Sequence, residues 1–309
     1  MKEIGIMKTK RNVIQIWLPC AAMLLIASSA SAQNLFEANF TSDNVYQYTP
    51  GGVQSTFASG FNFWPTGLAF DSAGNLFVAV ESGGLAGQGY ISKITPGGSQ
   101  STFASGLQGP SGIAFNNAGN LFEADWGSGN IYAFTPSGAQ STFASGLVNP
   151  TGLAFNSTGD LFEVDQGSGH IYEFTSAGVQ STFASGLNNP YGLAFNNAGD
   201  LFVADAGSGN IYEFTPNGNQ NIFFSGLNYP QYLAFDSTGD LFVSENNDGY
   251  GVGIIAEITP TGTESTFASS LDDPEGLAFQ GLTLPVPEPS PLGLLAVGAA
   301  ALFFRRRKQ

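Results

Sequence analysis

Hydrophobic and polar positions alternate in short runs along most of the chain, and the runs repeat about every forty residues. In residues 150–189, four such runs (GLAF, LFEVD, HIYEF and QSTFAS) are separated by segments rich in Gly, Asn and Ser. Apolar side chains at every second position, bounded by turn-forming residues, are typical of β-strands joined by tight loops. The pattern therefore predicts four short strands in each repeat.

Four strands in about forty residues are typical of one blade of a β-propeller, so the chain is predicted to be all-β. Pro-headed innermost strands and QSTFAS-like outer strands each occur six times, but they are out of phase. The first outer strand, at Gln54, follows no Pro-headed strand, and no outer strand follows the last Pro-headed strand, 274–279. Because an unpaired sheet edge leaves backbone groups without partners, we expect strand 274–279 to complete the N-terminal blade.

The predicted domain is thus a six-bladed β-propeller over residues 33–280, closed by its C-terminal strand. Its predicted blades are 33–64 plus 274–279, 65–109, 110–149, 150–189, 190–229 and 230–273.

Charge is distributed unevenly along the chain. From Glu37 to Glu275 there are 22 acidic residues and a single Lys or Arg, Lys93, which gives this part a formal charge of −21. Such a surface repels phosphate backbones, so nucleic acid is excluded as a partner. It suits divalent cations, cationic surfaces or solubility alone.

The N-terminus has the pattern of a secretory signal peptide over residues 1–32. Basic residues precede the apolar run 13–26, and Ala30-Ser31-Ala32 follows as a cleavage site. Cys20, the only cysteine, lies in the apolar run and would be removed with it, so we expect neither a disulfide nor thiol chemistry.

The C-terminal segment 281–309 resembles the PEP-CTERM sorting signal of Gram-negative bacteria. Its parts are a Pro-Glu-Pro motif, an apolar helix predicted over 292–304 and a basic tail, and the motif residues are Pro287, Glu288, Pro289, Arg305, Arg306 and Arg307. The resemblance implies an exosortase-type sorting enzyme as a partner, transient contact of the helix with the inner membrane, and export to the cell surface or extracellular matrix. A plain C-terminal anchor is the alternative, although 13 apolar residues are short for one.

The body resembles NHL-repeat proteins and the senescence-marker/gluconolactonase family. The resemblance is carried by the P-x-G-L-A-F head and the LF-(E/V)-x-D-x-G-S-G-N-I-Y centre of the repeat, as in 201–212. For the gluconolactonases it implies a divalent metal near the axis, held by Glu, Asn and Asp, with an Asp as base. Glu275-Gly276 matches the Glu position, but the Pro-Asn-Gly motif that supplies the Asn is replaced here by Pro-Thr-Gly, Pro-Ser-Gly and Pro-Tyr-Gly.

The candidate binding residues are predicted to lie at one end of the propeller. In each blade, the start of strand one and the loop between strands two and three are at that end. Two of these loops are longer than the others, 82–89 and 246–253, and they would frame a cleft over the closure blade with Glu275 between them. The predicted binding face is Thr66, Glu81, Tyr191, Gln231, Glu245, Asp248, Tyr250 and Glu275.

Other polar residues of the repeat have structural interpretations. We expect Asp125, Asp165 and Asp205 to accept hydrogen bonds from their own Gly-Ser-Gly turns, although carboxylates of this kind also suit Ca²⁺. The only histidine, His170, stands where other blades have Asn, so we expect a turn residue. No G-x-S-x-G motif places a serine as a nucleophile.

Two function classes follow from the sequence. The first is a non-enzymatic binding or structural module, with exopolysaccharide as one candidate ligand and Trp126, Tyr191 and Tyr250 as exposed aromatic contacts. The second is a metal-dependent lactonase or hydrolase that uses Glu275, with Asp205 as a further ligand of Ca²⁺ or another divalent metal and Glu245 as an acidic neighbour.

Overall fold

A computed structural model of the chain describes residues 33–83, 85–246 and 252–281. The predicted signal peptide, Asp248, Tyr250 and the sorting motif from Pro287 onward lie outside these residues. In the described ranges no helix is long and apolar enough to cross a membrane. The regular elements there are all strands: β1 (Leu35–Asn39), β2 (Asn44–Tyr48), β3 (Gln54–Ala58), β4 (Trp64–Phe70), β5 (Leu76–Glu81), β6 (Gly89–Ile94), β7 (Gln100–Leu107), β8 (Pro110–Phe115), β9 (Leu121–Asp125), β10 (Asn130–Phe134), β11 (Gln140–Ser145), β12 (Pro150–Phe155), β13 (Leu161–Asp165), β14 (His170–Phe174), β15 (Gln180–Ser185), β16 (Pro190–Phe195), β17 (Leu201–Asp205), β18 (Asn210–Phe214), β19 (Gln220–Ser225), β20 (Pro230–Phe235), β21 (Leu241–Glu245), β22 (Gly253–Ile258), β23 (Glu264–Leu271) and β24 (Pro274–Phe279).

The strands form six antiparallel four-stranded sheets, as the repeat predicts. Blade 1 has the order β24-β1-β2-β3, and blades 2 to 6 are β4–β7, β8–β11, β12–β15, β16–β19 and β20–β23. The innermost strands contact one another in a closed circuit, β24–β4–β8–β12–β16–β20 and back to β24. The predicted six-bladed fold is therefore confirmed.

The ring is closed by pairing between the two ends of the domain. Strand β24 pairs with β1, with Leu35 opposite Phe279 and Asn39 opposite Pro274. Beyond the strands, the Phe40 amide donates to the Asp273 carbonyl at 3.0 Å. The predicted role of strand 274–279 is thus confirmed.

Triads of phenylalanine rings join neighbouring blades. Phe122 packs edge-to-face on Phe143 of its own blade and on Phe155 of the next, with ring centroids 5.0 Å apart in both pairs. Such pairs add about 0.5–1.5 kcal/mol to the burial of the rings. The arrangement recurs at the other junctions as Phe36/Phe57/Phe70, Phe77/Phe103/Phe115, Phe162/Phe183/Phe195, Phe202/Phe223/Phe235 and Phe242/Phe267/Phe279.

A β-bulge bends each innermost strand next to the axis. In blade 4, Thr151 and Gly152 lie between the pairs Pro150–Asp165 and Leu153–Glu163, so two residues oppose one. Bulges re-aim side chains out of the regular pleat. The same shift follows the first proline in every blade, and it sets the direction of the residue between Pro and Gly.

The glycine of each bulge allows the blades to converge. A Cβ added to Gly67 would lie 2.2 Å from the Ser111 carbonyl oxygen of the next blade. The corresponding distances to the next blade's carbonyl are 2.1 to 2.6 Å in the other four blades that carry glycine at this position, at Gly112, Gly152, Gly192 and Gly276. Blade 6 has Tyr232 instead, so it is the one blade without glycine at this position.

Replacing Gly67 by Ala should destabilise the propeller by about 1–3 kcal/mol, because backbone atoms of blade 3 would have to move. Gly51→Ala is the matched control, since its added Cβ has no heavy atom within 4 Å. Urea unfolding of both variants measures the difference. Equal unfolding midpoints would contradict the close approach of the inner strands.

Candidate functional site: an axial pocket

A pocket of about 400 Å³ lies at the axis, on the face where the innermost strands begin. We call it the axial pocket. Its lining residues are Phe40, Thr66, Glu81, Ser111, Trp126, Gln166, Tyr191, Tyr229, Gln231, Tyr232, Asn246 and Glu275. All six blades contribute, because the repeat places equivalent positions around the axis.

Two positions of the repeat supply most of the lining. The residue that follows the first proline of each innermost strand contributes Thr66, Ser111, Tyr191, Gln231 and Glu275. The residue that directly follows the second strand contributes Phe40, Trp126, Gln166 and Asn246. The bulge explains the first set, and the loop between strands two and three explains the second.

Tyr232 is a buried lining residue of the axial pocket. Its hydroxyl lies 2.9 Å from the Ser111 hydroxyl, and the two residues belong to blades 6 and 3, which are opposite each other in the ring. Its ring also packs edge-to-face on Tyr191, with centroids 5.9 Å apart. The side chain therefore spans the axis where five blades have only glycine.

Glu275 is buried in the wall of the pocket and held by an amide network. With the Gln231 amide oriented to satisfy its neighbours, the nitrogen donates to both carboxylate oxygens, at 2.7 and 2.9 Å. The Gln231 oxygen then accepts from Asn246 at 3.2 Å, and Asn246 also donates to Asp273. These contacts fix the orientation of the Glu275 carboxylate.

The electrostatic environment of the pocket disfavours negative charge. Burial raises the pKa of Glu275 well above its usual value, and the nearby carboxylates of Asp273, Glu81 and Glu37 raise it further. Burial, followed by the charge of Asp125, also raises the pKa of Glu81. Burial removes the water that would stabilise the charged forms, and no cation among the described lining residues compensates these carboxylates.

The structure brings five of the predicted binding-face residues together in the axial pocket: Thr66, Glu81, Tyr191, Gln231 and Glu275. Thr66 also has a structural contact, since its hydroxyl donates to the Pro110 carbonyl of the next blade at 3.0 Å. The pocket is centred on the axis rather than on the closure blade. Of the two long loops, only Asn246 lines it among the described residues.

Glu245 and Asp205 do not line the pocket. The Glu245 carboxylate accepts from the Asn228 amide at 2.6 Å, and that of Asp205 accepts from the Asn188 amide at 2.7 Å. Asp205 also accepts from Ser208 of its own turn, at 2.7 Å. In each of these two blades, the acidic side chain at the end of the second strand therefore hydrogen-bonds to the loop that precedes the innermost strand.

The turn role predicted for the other two aspartates agrees with their hydrogen bonds. Asp125 and Asp165 accept from the backbone amides of Ser128 and Ser168, at 2.9 and 3.0 Å. His170 is the first residue of β14, directly after this type of turn, with Nδ1 2.7 Å from the Ser168 hydroxyl and its ring stacked on Tyr172. The histidine is not among the lining residues of the pocket.

The donors present do not fit the metal set that the gluconolactonase resemblance implies. The pocket has two carboxylates, Glu81 and Glu275, while the other Pro-x-Gly positions that line it carry Thr66, Ser111 and Tyr191 in place of Asn. Among residues 33–83, 85–246 and 252–281, no group of three or more His, Cys, Asp or Glu side chains could hold a metal ion. The described lining residues therefore do not supply the Glu, Asn and Asp set that the resemblance implies.

Sequence reasoning did not single out Phe40, Gln166, Tyr229, Tyr232 or Asn246 as lining residues. For Tyr232 a signal existed, because it replaces the glycine of the other five blades. Gln166 and Asn246 stand directly after two residues considered above, Asp165 and Glu245. Their direction depends on the turn, which the repeat pattern alone does not specify.

Comparison with known proteins supports the C-terminal signal and the fold. The family model of the PEP-CTERM protein-sorting motif matches residues 285–308. Such a motif indicates an exported protein that is recognised and processed by an exosortase of a Gram-negative bacterium. No curated protein sequence matches the chain.

Solved structures resemble the propeller with low sequence identity. A catalytically inactive His-to-Ala variant of virginiamycin B lyase from Staphylococcus aureus, with quinupristin, has a TM-score of 0.60 and 14% identity over 82% of this chain and 94% of that one. A putative gluconolactonase has a TM-score of 0.59 and 18% identity over 76% of this chain and 86% of that one. A streptogramin B lyase has a TM-score of 0.57 and 15% identity over 71% and 74%. At these identities the likeness shows the fold alone. The chain is a six-bladed β-propeller with a PEP-CTERM protein-sorting motif near its C-terminus.

Proposed function

We propose that the protein is an exported binding module whose axial pocket takes a small ligand or the end of a longer one. The observation that carries this proposal is the pocket itself, which combines aromatic rings with polar groups held in place by hydrogen bonds. Pockets of this kind, with a few oriented polar groups, are the usual form of small-molecule sites. An extracellular saccharide is the ligand class that fits the destination.

Aromatic side chains at the rim support a saccharide ligand. Trp126 is 42% exposed, and its indole N–H donates to Gln166 at 3.3 Å. The Tyr229 hydroxyl accepts from the Asn189 side-chain amide at 2.7 Å, which holds its ring in place. Rings with one apolar face and a polar edge suit the mixed surface of a sugar.

The sorting motif indicates that the protein is exported, and the place to which it is exported is part of this proposal. The predicted signal peptide 1–32 would direct the chain across the inner membrane. The apolar segment 292–304 would hold it there until an exosortase acts. The propeller would then reach the cell surface or the extracellular matrix, where polysaccharide or protein partners are available.

A lyase reaction like that of the similar structures receives no support from the pocket. The virginiamycin B lyase named above is inactive when a histidine is replaced by alanine. The only histidine of this chain, His170, begins strand β14, stacks on Tyr172 and is not among the lining residues of the pocket. The comparison therefore favours binding over this type of catalysis.

A lactonase is the second candidate, because Glu275 is a buried carboxylate with a raised pKa in the pocket wall. Lactone hydrolysis assayed with and without Ca²⁺ tests it. Turnover by the wild-type protein that is abolished in Glu275→Gln would favour the enzyme. Absence of turnover with several lactones would count against it.

A glycan array followed by calorimetry tests the saccharide proposal. We expect binding of at least one extracellular oligosaccharide, weakened at least about tenfold in Trp126→Ala. Tyr172→Ala is the control, because this ring stacks on His170 outside the pocket. A silent array, or equal affinity in Trp126→Ala, would contradict the proposal.

A further inference from the structure

The axial pocket contains no positively charged side chain among its described lining residues. The lining includes Glu81 and Glu275 but no Lys, Arg or His. In the described ranges the one ion pair is that of Lys93 with Asp71, at 3.9 Å, and the same ammonium lies over the Phe77 ring. The only lysine between Arg11 and Arg305 is thus engaged elsewhere.

Several carboxyl groups lie in or near the axial pocket, and no positively charged side chain among the described lining residues offsets them. Glu275 is only 6% exposed, and the acidic groups that act on it are Asp273, Glu81 and Glu37. Its charge and that of Glu81 also raise the pKa of the Tyr191 and Tyr232 hydroxyls, after the larger effect of burial. The pocket therefore has a negative potential that an anionic ligand would meet as repulsion.

Acceptor groups remain available for a ligand. The Glu81 carboxylate makes no hydrogen bond to other described residues, and Glu275 receives only the Gln231 amide. Around them stand the rings of Phe40, Trp126 and Tyr229. Carboxylates beside aromatic faces are the surroundings in which an organic cation is best stabilised.

We propose that the axial pocket recognises a positively charged nitrogen on its ligand, as in an amino sugar, with Glu275 and Glu81 as its partners. This inference rests on the proposed binding function and specifies the ligand class. It also explains why the Glu275 carboxylate is held in one orientation by Gln231 and Asn246. A fixed acceptor reduces the entropy that is lost when an ammonium group binds.

Binding of a cation should release protons. Glu275 faces Glu81, Glu37, Asp273, Tyr191 and Tyr232, and no cation among the described residues offsets them, so its raised pKa lets it keep its proton above the usual pH range of a carboxyl. An ammonium favours the ionised carboxylate, and affinity should therefore rise as pH rises through the raised pKa of Glu275. The gain should continue until the amine of the ligand itself loses its proton.

The matched probes are a glucosamine tetramer and its fully N-acetylated form, which have the same backbone and differ in charge. Calorimetry at about pH 7 in two buffers of different ionisation enthalpy measures affinity, stoichiometry and proton release. We expect one-to-one binding of the amine form, at least about tenfold tighter than the acetylated form. Glu275→Gln and Glu81→Gln should each remove most of this preference.

The control is Glu264→Gln, an exposed carboxylate at the start of β23 outside the pocket, which should bind like the wild-type protein. Equal binding of both tetramers would overturn the inference and leave saccharide binding intact. Binding of the amine form that is unchanged in Glu275→Gln and Glu81→Gln would also overturn it, because it would reflect the acidic surface as a whole. If neither tetramer binds, the inference is overturned. If the glycan array is silent as well, the proposed function is also rejected. Thermal unfolding of each variant verifies that the fold is kept.

Discussion

Replacing Glu163 by Val should stabilise the propeller at neutral pH. Removing a buried polar group that has no hydrogen-bond partner should by itself contribute about 1–3 kcal/mol to the free energy of unfolding. Glu163 lies in the middle of β13 and is fully buried, and neither carboxylate oxygen has a hydrogen-bond partner among the described residues. The equivalent positions in three other blades are Val78, Val203 and Val243, all buried, so the site accommodates valine.

The stability of Glu163→Val relative to the wild-type protein should increase as pH rises. Burial, followed by the charge of Asp165, raises the pKa of Glu163 well above its ordinary value. A raised folded-state pKa means that stability is fully present below the unfolded value, near 4.5, and is lost as pH rises through the folded value. The Val variant lacks this loss, so its advantage is smallest near the unfolded pKa and larger at alkaline pH.

Two controls separate the causes of this stabilisation. Glu163→Gln keeps a buried polar group and removes the titration, so it should flatten the pH dependence with little gain at acidic pH. Glu37→Val should gain less, because Glu37 accepts from Asn39 at 3.0 Å and from Tyr48 at 3.2 Å, and both would lose a partner. Thermal unfolding from about pH 4 to about pH 8 gives the comparison. A lower melting temperature of Glu163→Val at the alkaline end would contradict this explanation.

Ending the chain after Asp273 should abolish cooperative unfolding. This truncation removes β24, in which Leu277 and Phe279 are each only 6% exposed and contribute about 1.5–3 kcal/mol apiece by burial. It also exposes the edge of β1 and takes away the partner ring of Phe242. The loss exceeds that of any single side chain, because one blade loses its innermost strand.

A chain that ends after Gly281 is the matched control for this truncation. It lacks the sorting segment but keeps β24 and the hydrogen bond from the Gln280 amide to the Asn34 carbonyl. We expect it to unfold in one transition with the midpoint of the longer protein. If the chain that ends after Asp273 also unfolds cooperatively at that midpoint, the ring does not depend on β24.

The fold could be predicted because the same local pattern occurs in every repeat. Alternation in LFEVD and HIYEF gives the strands, and the Gly-Ser-Gly segments give the turns between them. The unmatched ends at Gln54 and 274–279 then leave one way to close the ring, which the β1–β24 register confirms. Local patterns were sufficient here since each blade contacts mainly its neighbours.

The candidate site was only partly predictable. Glu275, Tyr191 and Gln231 occupy a repeat position whose end of the propeller follows from topology. The reach of Tyr232 across the axis to Ser111 joins blades that are far apart in sequence, and no periodic pattern encodes it. The unpaired state of Glu163 was equally hidden, because it depends on the faces of adjoining blades.

The most direct test of the axial pocket as a binding site is a crystal structure of the protein grown with the glucosamine tetramer. We expect a sugar ring against Trp126, with its ammonium nitrogen within about 3 Å of a carboxylate oxygen of Glu275 or Glu81. Tyr232 should remain across the axis beneath it. A tetramer bound only on the outer strands, or an empty pocket at saturating ligand, would contradict the axial pocket as the binding site.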